Sequence, residues 1–188
     1  HALVGENGAG KTTLMNILGG LYKPDAGTIL IDGNPVMLEG PADATTKGIG
    51  FIHQELNLLP NLTVCENVFL SREISGRGGK LNKREMRAQV LEGCKTLGYD
   101  LDPDELLGNL SLAEQQLCEI ARAVVGKPRI LIMDEPTAAL AEDEVNRLFS
   151  IIRMLKTWGV SIIYISHKLD EILELADRVS VLRDGRLV

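Results

Sequence analysis

The chain has 188 residues, of which 45% are hydrophobic and 24% are charged. This is the composition of an ordinary globular protein, and the length suits one domain or one domain with an inserted lobe, so disorder is not expected. Lys and Arg together number 20 and Asp and Glu 26, which gives a formal net charge of −6. This acidic balance argues against a protein that coats nucleic acid or anionic lipid, although it leaves room for a small basic patch.

The cysteine content and the hydropathy of the sequence indicate the kind of cellular compartment in which the protein works. Cys65, Cys94 and Cys118 show no CxxC spacing, so we predict neither a disulfide framework nor a zinc site and expect three small buried side chains. No apolar run approaches the ~18 residues of a membrane span, and no secretory signal opens the chain. We therefore expect a soluble protein of a reducing compartment. The chain begins at His1, directly on the apolar run 2–4, which we interpret as a cut into a longer domain.

Alternating strands and helices are predicted for the first sixty residues. The expected elements are, in chain order, a strand over 2–4, a helix over 11–18, a hairpin of strands 28–31 and 36–38, and a strand over 49–53. Helical spacing places Leu14, Ile17 and Leu18 on one side of the helix, and Gly19-Gly20 ends it. The turn Asp32-Gly33-Asn34 joins the two hairpin strands.

The middle of the chain predicts helices instead. Capping boxes, in which a polar residue is followed three positions later by Glu, open helices at 63–66, 82–85 and 111–114, and the first helix is expected to continue to Leu70. The apolar residues that share a helical face are Met86, Val90, Cys94 and Leu97 after the second box, and Leu117, Ile120, Ala121 and Val124 after the third. We interpret 61–125 as a helical lobe and its Gly-rich segment 72–80 as a solvated loop.

Strand–helix alternation returns after residue 126. The expected elements are a fully apolar strand over 130–133, a helix over 142–158, a strand over 160–165, a helix over 169–176 and a strand over 179–182. Apolar strands of this kind are covered on both faces in parallel sheets. The sequence therefore predicts an α/β sheet core, formed by 1–60 and 126–188, that the helical lobe interrupts.

A phosphate-binding loop lies between the first strand and the first helix. The residues Gly5-Glu6-Asn7-Gly8-Ala9-Gly10-Lys11-Thr12 match the pattern G-x-x-x-x-G-K-[ST] completely. Glycines let successive backbone N–H groups point at a polyphosphate, and the helix that follows adds its positive dipole end. Lys11 supplies a point charge for the β- and γ-phosphates and Thr12 an oxygen ligand for Mg²⁺. The alternative, a Gly-rich turn that only caps a helix, explains fewer of these residues.

Acidic residues and a histidine follow two later strands. Asp134 and Glu135 end the apolar strand that starts at Ile130, and His167 follows the strand over 160–165. The carboxyl edge of an α/β sheet is where ligands bind. Asp134 would hold Mg²⁺ through water, and Glu135 would orient or deprotonate an attacking water. A strand that ends in acids is otherwise an ordinary start of a loop, and His53 is interpreted as structural.

In this order, these motifs resemble the ATP-binding subunits of ABC transporters over essentially the whole chain. The matching segments are the phosphate loop, Gln54 in Phe-Ile-His-Gln-Glu as the Q-loop, 110–116 at the position of the LSGGQ-type signature, Asp134-Glu135 as the Walker B pair, 138–141 as the D-loop, and His167 in Ile-Ser-His-Lys as the switch histidine. Segments such as Glu-Pro-Thr-Ala-Ala-Leu are most similar to the first of the two fused ATPase halves of bacterial ribose, galactose and xylose importers.

The resemblance implies a fold, roles and partners. The fold would be that of a P-loop NTPase core with an inserted helical subdomain. The residues implied to bind ATP are Gly5, Glu6, Asn7, Gly8, Ala9, Gly10, Lys11, Thr12, Thr13 and Gln54, with Thr12, Gln54 and Asp134 on Mg²⁺. Glu135 would be the general base, His167 would contact the γ-phosphate, and Ser111 would act in trans on ATP held by a second ATPase half in a head-to-tail dimer.

The resemblance also implies a location at the cytoplasmic face of the bacterial plasma membrane. Gln54 and the helical lobe would couple the ATP site to permease subunits, and through them indirectly to a solute-binding protein, with no nucleic acid among the partners. The function that the resemblance implies is Mg²⁺-dependent hydrolysis of ATP, which powers carbohydrate import.

Three departures from the family pattern affect these expectations. The aromatic residue that stacks on adenine, with the first strands of the domain, would lie before His1, so the fragment should bind ATP weakly. Ala113 and Glu114 stand where LSGGQ has Gly and Gln, and the Ser111–Glu114 capping box explains the same residues without nucleotide. Ala141 replaces the D-loop acid. We hypothesise that this domain supplies a competent phosphate loop and base, whereas its signature serves a weaker composite site.

Other function classes explain less of the sequence. A DNA-repair ATPase of the same family would need a coiled coil between Lys11 and Ser111, where no heptads persist, and a ribosome-bound member would need a basic arm. A P-loop metabolite kinase gives no reason for Gln54, Ser111 and His167 in this order. A module that only senses ATP would not need Glu135.

Overall fold

A mixed sheet supports the first of two structural units. The computed structural model describes residues 1–54, 56–138 and 140–188. The strands are, in chain order, β1 (Ala2–Val4), β2 (Ile29–Ile31), β3 (Asn34–Val36), β4 (Ile49–Ile52), β5 (Ile130–Asp134), β6 (Ser161–Ile165), β7 (Val179–Arg183) and β8 (Arg186–Leu187). The main sheet has the order β4-β5-β6-β1-β7-β8, parallel from β4 to β7, with β8 antiparallel at the edge. The predicted α/β fold is confirmed.

The helices are divided between two units. They are α1 (Lys11–Leu18), α2 (Pro41–Thr46), α3 (Val64–Val68), α4 (Lys83–Thr96), α5 (Leu112–Val125), α6 (Glu142–Thr157) and α7 (Leu169–Leu175). The first unit comprises His1–Ile52, Pro128–Glu135 and Ile152–Val188, and the second comprises His53–Lys127 and Pro136–Ile151. In the described part of the chain, no helix combines the length and the apolar character that crossing a bilayer requires. Ala139 of the predicted D-loop lies outside the described residues.

The core of the first unit forms on the parallel strands. Its buried residues come from β1, α1, α2, β4, β5, β6 and the segment before α2: Leu3, Met15, Leu38, Ala44, Ile49, Ile132 and Ile165. Strands of a parallel sheet need apolar side chains because helices cover their faces. This packing fixes the ends of β1, β5 and β6, from which the candidate site is built.

The structure differs from the sequence predictions at three places in this unit. Leu14, which shares the predicted apolar side of α1 with Ile17 and Leu18, is 38% exposed, whereas Met15 is buried. One position along a helix is a rotation of about 100°, so a small error in phase exchanges the two faces. Helix α2 was not predicted, because only Ala44 of its short polar sequence is buried. Strand β8 was not predicted either, since it has two residues and pairs only with β7.

The second unit packs three of its helices around a common core. Helix α5 contacts both α3 and α4, and the cysteines predicted to be buried lie inside, as free thiols. The buried apolar residues of these helices include Val64, Cys65, Val68, Met86, Val90, Cys94, Cys118, Ile120 and Ala121. The predicted boundaries of the helical lobe, 61–125, stay a prediction.

Two of the three predicted capping boxes form completely. Thr63 caps α3 and Ser111 caps α5, each with reciprocal bonds to the Glu three residues later. At α4, the side chain of Asn82 accepts the N–H of Glu85, but the N–H of Asn82 donates to the carbonyl oxygen of Ile74 rather than to the Glu85 carboxylate. Helix α3 ends at Val68, earlier than expected.

The segment 72–80 is largely exposed, as predicted, but its first residue is held by the neighbouring helix. Arg72 is half-buried, and its Nη2 donates a hydrogen bond to the carbonyl oxygen of Arg122 at 2.7 Å. Burial lowers the pKa of Arg72, and the neighbouring charge of Arg122 lowers it further. The start of the segment is therefore tied to α5 by a guanidinium rather than left free in water.

Candidate functional site

The predicted functional groups of the first unit meet at one edge of the sheet. Strands β5, β6 and β1 are adjacent and parallel. Glu135 directly follows β5, His167 follows β6 by two residues, and the loop that starts at Gly5 follows β1. Because parallel strands share a direction, these three segments emerge at the same carboxyl edge, where ligands bind in open α/β sheets.

Glycines set the path of the phosphate loop. Gly8 and Gly10 adopt φ of 83° and 102°, which is the left-handed region that favours glycine. At Gly5 the constraint is contact, since a Cβ there would lie 2.3 Å from the carbonyl oxygen of Leu182. The N–H of Gly185 donates to the carbonyl oxygen of Ala9 at 3.0 Å. The loop is thus supported by the end of β7 and the turn after it.

The side chain of Lys11 is hydrogen-bonded to the backbone of this loop. Its Nζ donates to the carbonyl oxygens of Gly5 at 2.7 Å and Glu6 at 3.1 Å. Lys11 also opens α1, whose first N–H groups have no partner within the helix. Thr12 and Thr13 follow in this exposed first turn. An ammonium group and free N–H groups at a helix N-terminus form a site for a phosphate anion.

Asp134 has the electrostatics of a cation ligand. Burial raises the pKa of Asp134, and the charge of Glu135 raises it further, whereas the charge of Lys11 lowers it. A buried carboxylate beside a second one is stabilised by a positive charge. The Asp134 carboxylate and the Thr12 hydroxyl are hard oxygen donors of the kind that Mg²⁺ prefers, so the residues present fit this ion.

The described residues contain no group of three or more His, Cys, Asp and Glu side chains placed to hold a metal ion. Mg²⁺ is usually bound through one or two protein oxygens together with substrate phosphates, which does not require such a group.

Glu135 and His167 form a pair across two neighbouring strands. The Nδ1 of His167 lies 3.1 Å from Oε1 of Glu135, whose side chain is 17% exposed, whereas that of His167 is 63% exposed. Glu135 has φ of 46°, an uncommon value for a residue with a side chain. Its N–H donates to the carbonyl oxygen of Ile165 at 2.9 Å. The backbone bond joins the ends of β5 and β6 and directs the two side chains toward each other.

Gln54 and Ser111 belong to the second unit. Gln54 is exposed and follows β4 by two residues along the chain. Ser111 is the N-cap of α5, and its hydroxyl donates to Oε2 of Glu114 at 2.7 Å and accepts the N–H of Glu114 at 3.3 Å. Bonds from the side chain and the backbone of Ser111 lower the pKa of Glu114. The capping box predicted for Ser111 and Glu114 is therefore present in the structure. The role of Ser111 in trans stays a prediction.

Sequence reasoning missed the contacts that support the site from distant parts of the chain. Leu182 and Gly185 brace the phosphate loop, and no local signal in their sequence points to it. Glu171 lies within the segment Ile-Ser-His-Lys-Leu-Asp-Glu and received no role. A signal for it was present, because an acid four residues after His167, at the start of a helix, can reach back toward the preceding loop.

The sequence pattern of the family described as "ABC transporter" matches residues 1–138. This is well over half of the chain. The chain belongs to the ABC transporter family. The matched range contains the phosphate loop, Gln54, the segment 110–116 and Asp134-Glu135, and ATP is the nucleotide expected at the phosphate loop.

Curated members of the family are similar over the whole chain. A ribose import ATP-binding protein RbsA from Bacillus licheniformis is 50% identical over 188 residues, which cover 100% of this chain and 38% of that protein. Its counterpart from Geobacillus kaustophilus is 52% identical, again over 100% and 38%. A putative ribose/galactose/methyl galactoside import ATP-binding protein from Burkholderia lata is 50% identical over 100% and 36%. The chain thus spans less than two fifths of the length of these relatives.

Solved structures of this ABC family confirm the P-loop NTPase fold. A nucleotide-free ATP-binding cassette from an ABC transporter superposes with a TM-score of 0.86 at 27% identity, covering 100% of this chain and 78% of that one. A dimeric ATP-binding cassette in a post-hydrolysis state, bound to ADP and phosphate, gives a TM-score of 0.80 at 28% identity, covering 99% and 82%.

Proposed function

We propose that this ABC-family chain is an ATPase domain that hydrolyses ATP to ADP and phosphate. The observation that carries the proposal is the 3.1 Å contact between Glu135 and His167 at the carboxyl edge, beside the loop that contains Lys11. A carboxylate at this place can orient water and accept its proton, and the loop can hold the phosphates. A site that only bound ATP would have no use for this pair.

Each residue has a distinct task in this mechanism. The loop N–H groups and Lys11 bind the β- and γ-phosphates and offset the charge that develops on them. Glu135 holds a water in line with the γ-phosphorus and takes its proton, while His167 keeps the Glu135 carboxylate in place and faces the γ-phosphate. Thr12, Asp134 and Gln54 would hold Mg²⁺, which supplies charge neutralisation at the phosphate oxygens when bound.

We further propose that the domain powers carbohydrate import. Support comes from the curated relatives, whose names describe ribose import or ribose/galactose/methyl galactoside import. The domain would be the first ATPase half of such a protein, paired head to tail with a second half, with Ser111 facing the ATP of the other half. It would work at the cytoplasmic face of the membrane, bound to permease subunits through the region 61–125.

The test is the substitution Glu135→Gln in the polypeptide that carries both ATPase halves. ATP turnover should fall by roughly 10²- to 10⁴-fold, the usual contribution of a general base, while the Kd for ATP changes little. Glu174→Gln, an exposed acid on α7, is the control and should leave both values unchanged. Near-wild-type turnover of Glu135→Gln would reject the assignment. ATP binding without turnover in the unsubstituted protein would favour a sensor.

A further inference from the structure

A buried carboxylate holds the loop of His167 from behind. Glu171, in the first turn of α7, is 6% exposed. Its Oε2 accepts hydrogen bonds from the hydroxyl groups of Tyr164 and Ser166, both at 2.8 Å, and its Oε1 lies 3.2 Å from Nζ of Lys168. A single side chain therefore contacts the residues on both sides of His167 and the strand before it.

Ser166 completes this arrangement. Its Oγ donates to Glu171 and accepts the backbone N–H of Lys168 at 3.1 Å. Tyr164 and Ser166 are 3% and 2% exposed, so water does not readily replace the carboxylate as their acceptor. A hydroxyl with both its donor and its acceptor engaged has one favoured orientation. The backbone on both sides of His167 is thus fixed, while its imidazole stays largely exposed.

The fixed loop matters because of what the imidazole contacts. His167 reaches Glu135 with its Nδ1, and the backbone N–H of Glu135 is bonded to Ile165, the residue just before Ser166. A displacement of the loop by about 1 Å would break the 3.1 Å contact, and errors of this size cost on the order of 10²-fold in rate. We infer that Glu171 is a positioning residue that keeps His167 in contact with Glu135.

The inference rests on the proposed roles of Glu135 and His167 in ATP hydrolysis. The competing explanation is structural, since Asp170 and Glu171 both lie in the first turn of α7, where carboxylates stabilise the helix dipole. A role limited to the dipole requires neither burial nor the hydroxyl groups of Tyr164 and Ser166. Glu171 has both, and it bonds residues that lie before the helix starts.

The experiment compares Glu171→Leu with Glu171→Gln in the polypeptide that carries both ATPase halves. Leu fills the buried space but accepts no hydrogen bond, whereas the amide oxygen of Gln can take the place of Oε2. Glu174→Leu on the exposed face of the same helix is the matched control. The readouts are kcat and KM for ATP, and the NMR signals of the His167 ring, assigned by their loss in His167→Ala.

We expect kcat of Glu171→Leu to fall roughly ten- to a hundredfold, with KM within about twofold, while Glu171→Gln keeps most of the activity. The His167 ring signals should move in the Leu variant while those of His53 do not. In the His167→Ala background, Glu171→Leu should cause no further loss. Three outcomes would overturn the inference. The His167 ring signals could stay unmoved in Glu171→Leu, or Glu171→Leu and Glu171→Gln could lower kcat equally. Glu171→Leu could also lower kcat as much in the His167→Ala background as in the unsubstituted protein.

If Glu171→Leu fails to fold, a second variant tests the same hydrogen bonds. Tyr164→Phe combined with Ser166→Ala removes the same two hydrogen bonds from the other side and must also move the His167 signals; if they stay, the inference is wrong. The NMR readout needs no nucleotide. Displaced signals in a protein that hydrolyses no ATP would therefore reject the proposed function alone, and unmoved signals in an active ATPase would reject the positioning role alone.

Discussion

The hydroxyl of Ser111 donates a hydrogen bond to Oε2 of Glu114 at 2.7 Å, within the capping box of α5. The same oxygen accepts the N–H of Ser111 at 2.8 Å. The serine proposed to face ATP in trans is thus bonded to a carboxylate of its own chain. A negative charge at this position opposes a triphosphate, which is the physical basis for a weaker composite site.

The first prediction is that Glu114→Gln raises ATP turnover at the composite site that this signature serves. The amide oxygen of Gln can still accept both bonds from Ser111, so the cap is kept and stability changes by less than about 1 kcal/mol. Removal of a partly screened like charge near the phosphates should raise turnover roughly threefold to tenfold. Steady-state turnover of the polypeptide with both ATPase halves measures the effect.

The chain offers a matched control for this substitution. Glu66 forms the same reciprocal capping box with Thr63 at the start of α3. Glu66→Gln should therefore leave turnover unchanged. The electrostatic explanation fails if Glu114→Gln has no effect, or if Glu66→Gln raises turnover by the same factor.

The second prediction contrasts two glycines of the phosphate loop. A Cβ at Gly5 would lie 2.3 Å from a backbone oxygen of Leu182, which cannot rotate away, so Gly5→Ala should lower the free energy of unfolding by more than about 2 kcal/mol. A Cβ at Gly8 meets no atom within 4 Å, and Gly8→Ala carries only the strain of its φ of 83°, about 1 kcal/mol. Urea denaturation measures both, and equal effects would contradict the predicted contact.

The residues of the candidate site were predictable where topology alone brings them together. Glu135 and His167 each follow a short apolar strand, and parallel strands bring such ends to one edge. The phosphate loop was predictable because its pattern is local and complete. These features need no knowledge of side-chain packing.

Other features depend on contacts that a linear pattern does not contain. The approach of Gly5 to Leu182 joins residues at opposite ends of the chain. Helix α2 carries no apolar periodicity, since it buries only Ala44. In α1, Met15 rather than Leu14 is buried, where it packs with Leu3 and Ile132 of the sheet. The sequence of an eight-residue helix does not decide which of two adjacent apolar residues makes this contact.

The third prediction concerns Glu119, a buried acid on α5. Burial raises the pKa of Glu119 from 4.5 to about 7, against bonds from the backbone N–H groups of His53 and Asn57 and the charge of Arg122. Among the described residues, its Oε2 has no hydrogen-bond partner. Because the folded-state pKa lies above the unfolded one, the folded state binds more protons between these values. The contribution of Glu119 to the free energy of unfolding is therefore fully present below pH 4.5, and it is lost as the pH rises through about 7.

This pH dependence should disappear in Glu119→Gln. Relative to the unsubstituted domain, the variant should gain up to about 3 kcal/mol in unfolding free energy between pH 5 and pH 8, which is the most that this rise in pKa allows. Urea denaturation at several pH values measures the gain. Glu92→Gln on the exposed face of α4 is the control and should show none. Parallel pH profiles for the Glu119 variant and the unsubstituted domain would show that the carboxyl group stays ionised.

The fourth prediction concerns Asn67, a fully buried polar residue of α3. Its Oδ1 accepts the N–H of Leu59 at 2.7 Å, and its Nδ2 lies within 3.3 Å of the carbonyl oxygens of Leu59, Leu62 and Thr63. Asn67→Ala would leave the N–H of Leu59 without its partner, and the loss of a partner for a buried group costs about 1–3 kcal/mol. The three carbonyl oxygens would each keep one backbone N–H, donated by Leu62, Leu107 and Asn67. We expect the free energy of unfolding to fall by about 1–3 kcal/mol and the Leu59 amide to exchange faster with solvent.

The decrease in the free energy of unfolding distinguishes a buried, hydrogen-bonded polar residue from an exposed one. Asn109→Ala is the control, because Asn109 is exposed and its amide group, among the residues that the structure describes, bonds only the Glu105 side chain. Its substitution should change stability by no more than about 0.5 kcal/mol. If Asn67→Ala costs as little as Asn109→Ala, or leaves exchange of the Leu59 amide unchanged, then the segment before α3 is held by its apolar side chains, and its hydrogen bonds to Asn67 contribute nothing.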